Sequence, residues 1–283
     1  MNLCFFVSDL HGKLSRYEAL FKRIKKEKPD FVFIGGDLLP HRSFKTLNTT
    51  GEGNFFTDYL LPKLSKLRDK LDCNYPEIFL IPGNDDFKSD FPSAVEGENQ
   101  SLWRNIHNQC VVIGKYRLYG YACVPPTPFR NKDWDRYDIS KTLAPGCIAP
   151  QDGYHSVPPD HDPANDTIEQ DIRKLVKDDD LEYGIFLFHS PPYGTSLDMA
   201  LTGNAGFEHV GSKAIREFIE NRQPYLTLHG HIHESAEISG TWKQIIGRTP
   251  MLSAAHNGPE LSLIKFVLHD VRSVVRILVN TSL

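Results

Sequence analysis

The chain has 283 residues, 40% of them hydrophobic and 24% charged, with a net charge of −4 at neutral pH. That length and apolar share suffice for a substantial buried core, and the acidic balance argues against a broad cationic face for nucleic-acid backbones. No run approaches the ~20 apolar residues of a membrane helix, and Met1 to Val7 carries no basic leader before Asp9 and His11, so a cytosolic protein without membrane partners is expected.

The first segment, Leu3 to Val7, is a short apolar run that stops at Ser8-Asp9. The same design recurs at Phe31 to Ile34 before Gly35-Gly36-Asp37 and at Ile78 to Ile81 before Pro82-Gly83-Asn84. It returns at Ile185 to Phe188 before His189 and at Tyr225 to Leu228 before His229-Gly230-His231. Short runs rich in aromatic and β-branched residues, closed by Gly or Pro, read as buried strands. Each ends on a residue able to offer an oxygen or nitrogen ligand.

Helices are expected between them. Ser15-Arg16-Tyr17-Glu18 has the form of a capping box, followed by Leu20, Phe21 and Ile24 at helical spacing. Thr167 precedes Ile168, Ile172, Leu175 and Val176 on one face, and Ser212 precedes Ile215, Phe218 and Ile219. Strands alternating with helices imply a layered α/β architecture. After Gly230 the pattern turns to β-like runs, among them Ser262 to Leu268 and Ser273 to Val279. The span from about 124 to 165 has no periodicity, holds eight of the 19 prolines and is too long for an ordinary connector. It reads either as a surface excursion or as a lid over a site. No linker divides the chain, so a single domain over 1–283 with an insertion at about 124–165 is expected. The five cysteines (Cys4, Cys73, Cys110, Cys123, Cys147) are scattered and form no C-x-x-C pair, which points to reduced, structural thiols.

Taken singly, an Asp or Asn after a strand is a turn former, and a lone His is more often a hydrogen-bonded structural residue than a ligand. Together they form a pattern. Asp9-Leu10-His11 sets two ligand types two residues apart, which on extended backbone face the same way. His231-Ile232-His233 repeats the spacing, with Gly230 allowing close backbone approach. Asp37, Asn84 and His189 add three groups from three other strands. Mixed Asp, Asn and His donors suit Mn, Fe, Co or Zn, and seven donors exceed the need of one tetrahedral ion. Two ions sharing a carboxylate account for the surplus.

Asp9-x-His11, Gly36-Asp37, Gly83-Asn84, His189 and Gly230-His231-x-His233 resemble, in order, the five motifs of the calcineurin-like metallophosphoesterases, over residues 9 to 233. The resemblance implies a two-sheet β-sandwich flanked by helices, with a metal-dependent phosphoric ester hydrolase site at the strand ends. It implies Asp9, His11 and His233 on one divalent ion, Asn84, His189 and His231 on the other, Asp37 as the bridge, and a metal-bridging hydroxide as nucleophile. Asp37, Asn84 and Asp85 are the positions closest to the chemistry. The implied substrate is a small-molecule or nucleotide phosphoester.

One departure matters. Many relatives read Gly-Asn-His and then an acidic residue, whereas this chain reads Gly83-Asn84-Asp85-Asp86. The missing imidazole is the one that touches phosphate and assists the leaving group in those relatives. A carboxylate at position 85 disfavours a doubly charged monoester, so a phosphodiester is expected. The alternatives are a phosphomonoesterase or protein phosphatase of the same superfamily, or an inactive scaffold. Outside the motifs, His41, His256 and His229 are weaker candidates for a place near the metals, each read first as structural, and Arg42 and Asn257 are weaker candidates for phosphate contact.

Overall fold

The computed structural model describes residues 2–41, 53–202 and 206–281. In chain order the strands are β1 (Leu3–Val7), β2 (Phe31–Gly35), β3 (Glu77–Ile81), β4 (Arg104–Asn105), β5 (Gln109–Ile113), β6 (Tyr116–Tyr121) and β7 (Gly184–Phe188). They continue with β8 (Met199–Thr202), β9 (Gly206–His209), β10 (Leu226–His229), β11 (Lys243–Ile246), β12 (Thr249–Ser253), β13 (Leu261–Val267) and β14 (Asp270–Val279). The helices are α1 (Leu14–Glu27), α2 (Leu61–Leu71), α3 (Val95–Asn99), α4 (Ile168–Val176), α5 (Lys213–Arg222) and α6 (Ser235–Ser239).

Twelve strands form two mixed sheets of six, ordered β14-β13-β1-β2-β3-β4 and β11-β12-β10-β7-β6-β5, while β8 and β9 make a separate hairpin. The expected five strands are β1, β2, β3, β7 and β10. In the first sheet β1, β2 and β3 run parallel, and in the second β7 and β10 run parallel. Their carboxyl ends therefore gather at one edge of the sandwich, where α/β sheets place their ligand sites.

Alternation along the strands explains why the first sheet is buried on both faces. Cys4, Phe6, Phe31, Phe33, Phe79 and Ile81 point into the core shared with the second sheet. Phe5, Val7, Val32, Ile34, Ile78 and Leu80 point the other way, onto Leu20 and Ile24 of α1 and Leu64 and Leu67 of α2. Between the sheets, Phe33 stacks on Phe79 and on Phe266 with ring centroids 6.1 and 6.3 Å apart. Helices α4 and α5 cover the far face of the second sheet with Ile172, Val176, Ile215 and Ile219. Thr167 and Ser212 cap them as expected, accepting from Gln170 N at 3.2 Å and Ile215 N at 3.0 Å.

The capping box at Ser15 does not form. Helix α1 begins at Leu14 behind Lys13, with no side-chain cap. Tyr17 and Arg16 are instead drawn inward, so packing rather than a cap fixes this start. The strands β5 and β6, the hairpin β8–β9 and the short α3 were not apparent from sequence pattern.

The segment 124–165 is neither strand nor long helix, yet its centre is buried: Lys132, Asp133, Trp134 and Asp135 are each at most 4% exposed. Isolated bridges pair Val124 with Asp135 and Asn131 with Tyr154. Lys132 satisfies its buried ammonium on Asp135 Oδ2 at 2.5 Å, Thr127 O at 2.7 Å and Thr127 Oγ1 at 3.0 Å. Among the described residues no helix is long and apolar enough to cross a membrane.

Candidate metal centre

The seven residues singled out from the motifs converge at the gathered strand ends. Asp9, His11, Asp37, Asn84 and His189 are buried, and His231 and His233 are half-buried. The way Asp9 and His11 come together differs from the extended geometry expected. Strand β1 ends at Val7, and Asp9 and His11 both adopt left-handed backbone, with φ of 57° and 48°. Asp37 (φ 50°) and His231 (φ 73°) do the same. These are sharp turns held by neighbours: Asp9 N donates to Gly36 O at 3.0 Å and His11 N to Asp37 O at 2.8 Å. Left-handed backbone on non-glycine residues costs energy and persists only where surrounding contacts over-determine it.

Two glycines make the convergence possible. A Cβ on Gly230 would strike Ser8 Oγ and come within 2.8 Å of Asp9 Oδ2, and a Cβ on Gly83 would strike Asp37 Oδ1 and its backbone nitrogen. The β10 turn thus lies directly on Asp9, and His231 N donates to Asp9 Oδ1 at 3.0 Å.

The side-chain atoms sort into two overlapping groups. In the first, His11 Nε2 lies 3.0 Å from His233 Nε2 and 3.7 Å from Asp37 Oδ2, and His233 Nε2 lies 3.4 Å from Asp9 Oδ1. The four residues offer ligand atoms all within 4.8 Å of one another. In the second, His189 Nε2 lies 3.1 Å from Asn84 Oδ1 and 3.4 Å from Asp37 Oδ2, and the His231 ring is centred 5.1 Å from that of His189.

The tautomer of His189 is set from behind. Its Nδ1 sits 2.7 Å from Gly35 O, a carbonyl that can only accept, so Nδ1 carries hydrogen. Neutral His189 then turns the Nε2 lone pair toward two oxygens that are themselves acceptors. Asn84 has its amide nitrogen committed to Asp85 Oδ1 at 3.2 Å, which fixes its Oδ1 toward His189. Three acceptors aimed at one point need a proton or a cation between them. On the other side, Asp9 Oδ2 is buried without a hydrogen-bond partner among the described residues. This donor set, four imidazoles, two carboxylates and one amide oxygen around shared points with no thiolate, fits borderline divalent metal ions.

The protonation pattern follows from the same packing. Burial opposes charge on His189, but Asp37 and its hydrogen bond outweigh burial and raise it to about 9, while Asp37 falls far below the usual carboxylate range. Burial likewise opposes charge on Asp9, yet His233 holds it down at about 2. Burial dominates at His11 and His231, lowering them to about 4 and about 3. Burial, reinforced by Asp37 and Asp86, pushes Asp85 up to about 8. A cation at the site would act against that rise.

Several supporting residues were given no structural role from sequence, although Asp86 fills the acidic position that follows the motif. Arg16, read as the second residue of a capping box, instead donates to Asp9 O at 2.6 Å and to the carbonyls of His256 (3.3 Å) and Gly258 (2.5 Å). Asp86 is fully buried and accepts from Leu38 N, Leu39 N and Gly83 N at 3.0, 2.8 and 2.9 Å, locking the Asp37 turn to the Asn84 turn. From the 124–165 segment, Asn131 donates to Asn84 O at 2.8 Å and Trp134 Nε1 to Asp86 O at 2.7 Å.

The weaker candidates divide. His41 stacks on His11 with centroids 4.6 Å apart and faces Asp85. His256 is held by Glu260 at 3.0 Å, and Asn257 beside it is exposed. His229 is structural as read, with Nδ1 2.9 Å from Ser190 O and Nε2 2.8 Å from Thr227 Oγ1. Arg42 lies outside the described residues.

Comparison with known proteins shows the family and the fold. The family profile described as calcineurin-like phosphoesterase matches residues 4–235. Over 99% of both chains, the fold is similar to a solved crystal structure at 14% identity with a TM-score of 0.62. It is also similar to the protein TT1561 of Thermus thermophilus, at 16% identity with a TM-score of 0.57, again over 99% of both chains. No curated protein matches this chain.

Proposed function

Because the chain belongs to the calcineurin-like phosphoesterase family, we propose that it hydrolyses a phosphodiester with the help of two divalent transition-metal ions, Mn, Fe, Co or Zn. Asp9, His11 and His233 hold one ion, Asn84, His189 and His231 the other, and Asp37 serves both. The observation that carries this reading is the convergence of acceptors: His189 Nε2 faces Asn84 Oδ1 at 3.1 Å and Asp37 Oδ2 at 3.4 Å with its opposite nitrogen already committed to Gly35 O. When bound, the ions lower the pKa of a water, neutralise phosphate oxygens and align attack.

The chain's own residues prepare for that chemistry. Asp85 N donates to Asp37 Oδ1 at 2.9 Å, leaving Oδ2 directed at both His11 and His189. Gly35 O fixes His189, and His231 N orients Asp9. The 124–165 segment belongs to the same domain in this reading, since Asn131 and Trp134 hold the backbone on which Asn84 and Asp85 stand. The Asp85 carboxyl is 24% exposed beside His11 and the exposed His41, and an ester approaching from that side would meet it. Its charge opposes a dianionic monoester more than a monoanionic diester, which supports the diester assignment.

The test is a hydrolysis panel of phosphomonoesters, phosphodiesters and cyclic nucleotides, run with Mn, Co, Ni and Zn. Turnover of diesters above monoesters is expected. Turnover of monoesters alone would reassign the substrate class, and no turnover with any metal would favour a scaffold.

A further inference from the structure

His41 stands at the rim of the candidate metal centre, four residues beyond Asp37, with its side chain 69% exposed. Its ring lies almost parallel to that of His11, 12° apart and 4.6 Å between centroids. Its Nδ1 is 3.4 Å from Asp85 Oδ2, and the same oxygen is 3.6 Å from His11 Nδ1. One carboxylate oxygen thus lies between two imidazole nitrogens.

These three side chains are arranged closely enough to hold a cation of their own, but the rest of His11 decides against it. His11 Nε2 faces His233, Asp37 and, through them, Asp9. An imidazole that offers its Nε2 lone pair to that group carries hydrogen on Nδ1 when neutral. Nδ1 of His11 then carries hydrogen and faces Asp85 Oδ2 from 3.6 Å, beyond hydrogen-bond reach, so the carboxylate is not committed to His11. The nearer approach of the same oxygen to His41 Nδ1, 3.4 Å, favours hydrogen on that nitrogen and leaves the Nε2 edge of the exposed His41 ring for the mouth.

We propose that His41, held by Asp85, is a substrate-contacting residue of this site and supplies from the β2 turn the imidazole that position 85 lacks. Asp85 is its positioning residue. The inference rests on the phosphoesterase reading, and it narrows the site: the contact comes from the rim rather than the floor, so it meets the outward-facing part of the ester, on which a diester carries its second substituent. Stacking on His11 fixes the plane of the His41 ring, and Asp85 fixes its rotation.

The experiment compares wild type with His41→Ala, Asp85→Asn and the double variant, each reconstituted with metal and checked for metal content. Removing a hydrogen bond to a charged ligand group should lower kcat/KM for bis-p-nitrophenyl phosphate by about tenfold to a hundredfold in His41→Ala. Inorganic phosphate should inhibit that variant more weakly, with bound metal unchanged. Added imidazole should restore part of the rate. Asp85→Asn should weaken the same properties, and the double variant should lose less than the two single losses multiplied, because the residues act as a pair. In ¹⁵N imidazole spectra, His41 should show hydrogen on Nδ1 in wild type and a mixture of tautomers in Asp85→Asn.

An active wild type whose His41→Ala variant keeps kcat/KM and phosphate inhibition within about twofold would overturn the proposal. So would multiplicative losses together with an Nε2-protonated His41. If the wild type turns over no ester, the phosphoesterase reading fails by itself, and direct titration with inorganic phosphate still decides the role of His41.

Discussion

Gly230→Ala separates the site's geometry from its ligand inventory, because it removes no donor. The added methyl would overlap Ser8 Oγ, stand 3.0 Å from Ser8 Cβ and 2.8 Å from Asp9 Oδ2. None of these atoms moves freely. Ser8 Oγ donates to Gly35 O at 3.0 Å, and Asp9 Oδ1 accepts from His231 N at 3.0 Å. Overpacking a buried position of this kind costs about 1–3 kcal/mol, and relief by rotating Asp9 swings a carboxylate away from His233. The variant should unfold at lower denaturant concentration, retain less metal and turn over at least tenfold more slowly. Adding Ser8→Gly removes two of the three close contacts but leaves Asp9 Oδ2. The double variant should recover stability while remaining metal-poor. Urea titration followed by circular dichroism, with metal analysis of the same samples, reads both quantities. Wild-type metal content and turnover in Gly230→Ala would refute the packing on which the site is built.

Asp37→Ala and His189→Ala should each abolish turnover while leaving the chain folded, and retention of more than a tenth of wild-type activity in both would count against the roles given to them. For the substrate class, Asp85→His should shift the ratio of p-nitrophenyl phosphate to bis-p-nitrophenyl phosphate hydrolysis toward the monoester. A wild type that prefers the monoester, or an unchanged ratio, contradicts the role assigned to that carboxylate. Away from the site, burial lowers His107 to about 3, with Arg136 and Lys88 adding to the effect, and its Nδ1 accepts from Ala122 N at 3.0 Å. A depressed imidazole stabilises the fold above the unfolded value of about 6.5, and that contribution is lost as pH falls toward 3. Since the ring is only half-buried by accessible surface, we expect a loss of about 1–2 kcal/mol between pH 6.5 and 4.5, attenuated in His107→Asn. Equal acid sensitivity in the two proteins would show that His107 does not contribute.

The motifs were legible because each lies where a buried strand must stop, and the hydrophobic runs Leu3–Val7, Phe31–Gly35 and Gly184–Phe188 mark those stops in sequence. The two-sheet architecture followed from the family resemblance that the motifs carry together, whereas the order of strands within each sheet was not read from the sequence. What sequence spacing misrepresented was how the turns are made. Asp9 and His11 share a face through left-handed backbone, a conformation that backbone bonds to Gly36, Asp37 and Leu38 after the second strand impose and that no local preference announces. Arg16 was hidden for the same reason: its partners are the carbonyls of Asp9, His256 and Gly258, separated from it by up to 242 positions. Segment 124–165 gave no periodic signal because its order comes from isolated backbone bridges, the buried Lys132–Asp135 pair and side-chain bonds to the Asn84–Asp86 turn, not from strand or helix repeats. His41 could be singled out only by its distance from Asp37 in the chain, and the pairing with Asp85 depends on two loops meeting.

Metal content measured on protein purified without chelator decides whether the seven residues form a two-metal site. Close to two transition-metal ions per chain are expected in wild type, falling in Asp37→Ala. A folded wild-type protein that takes up no transition metal at neutral pH, even when supplied with Mn, Co or Zn, would contradict the two-metal assignment.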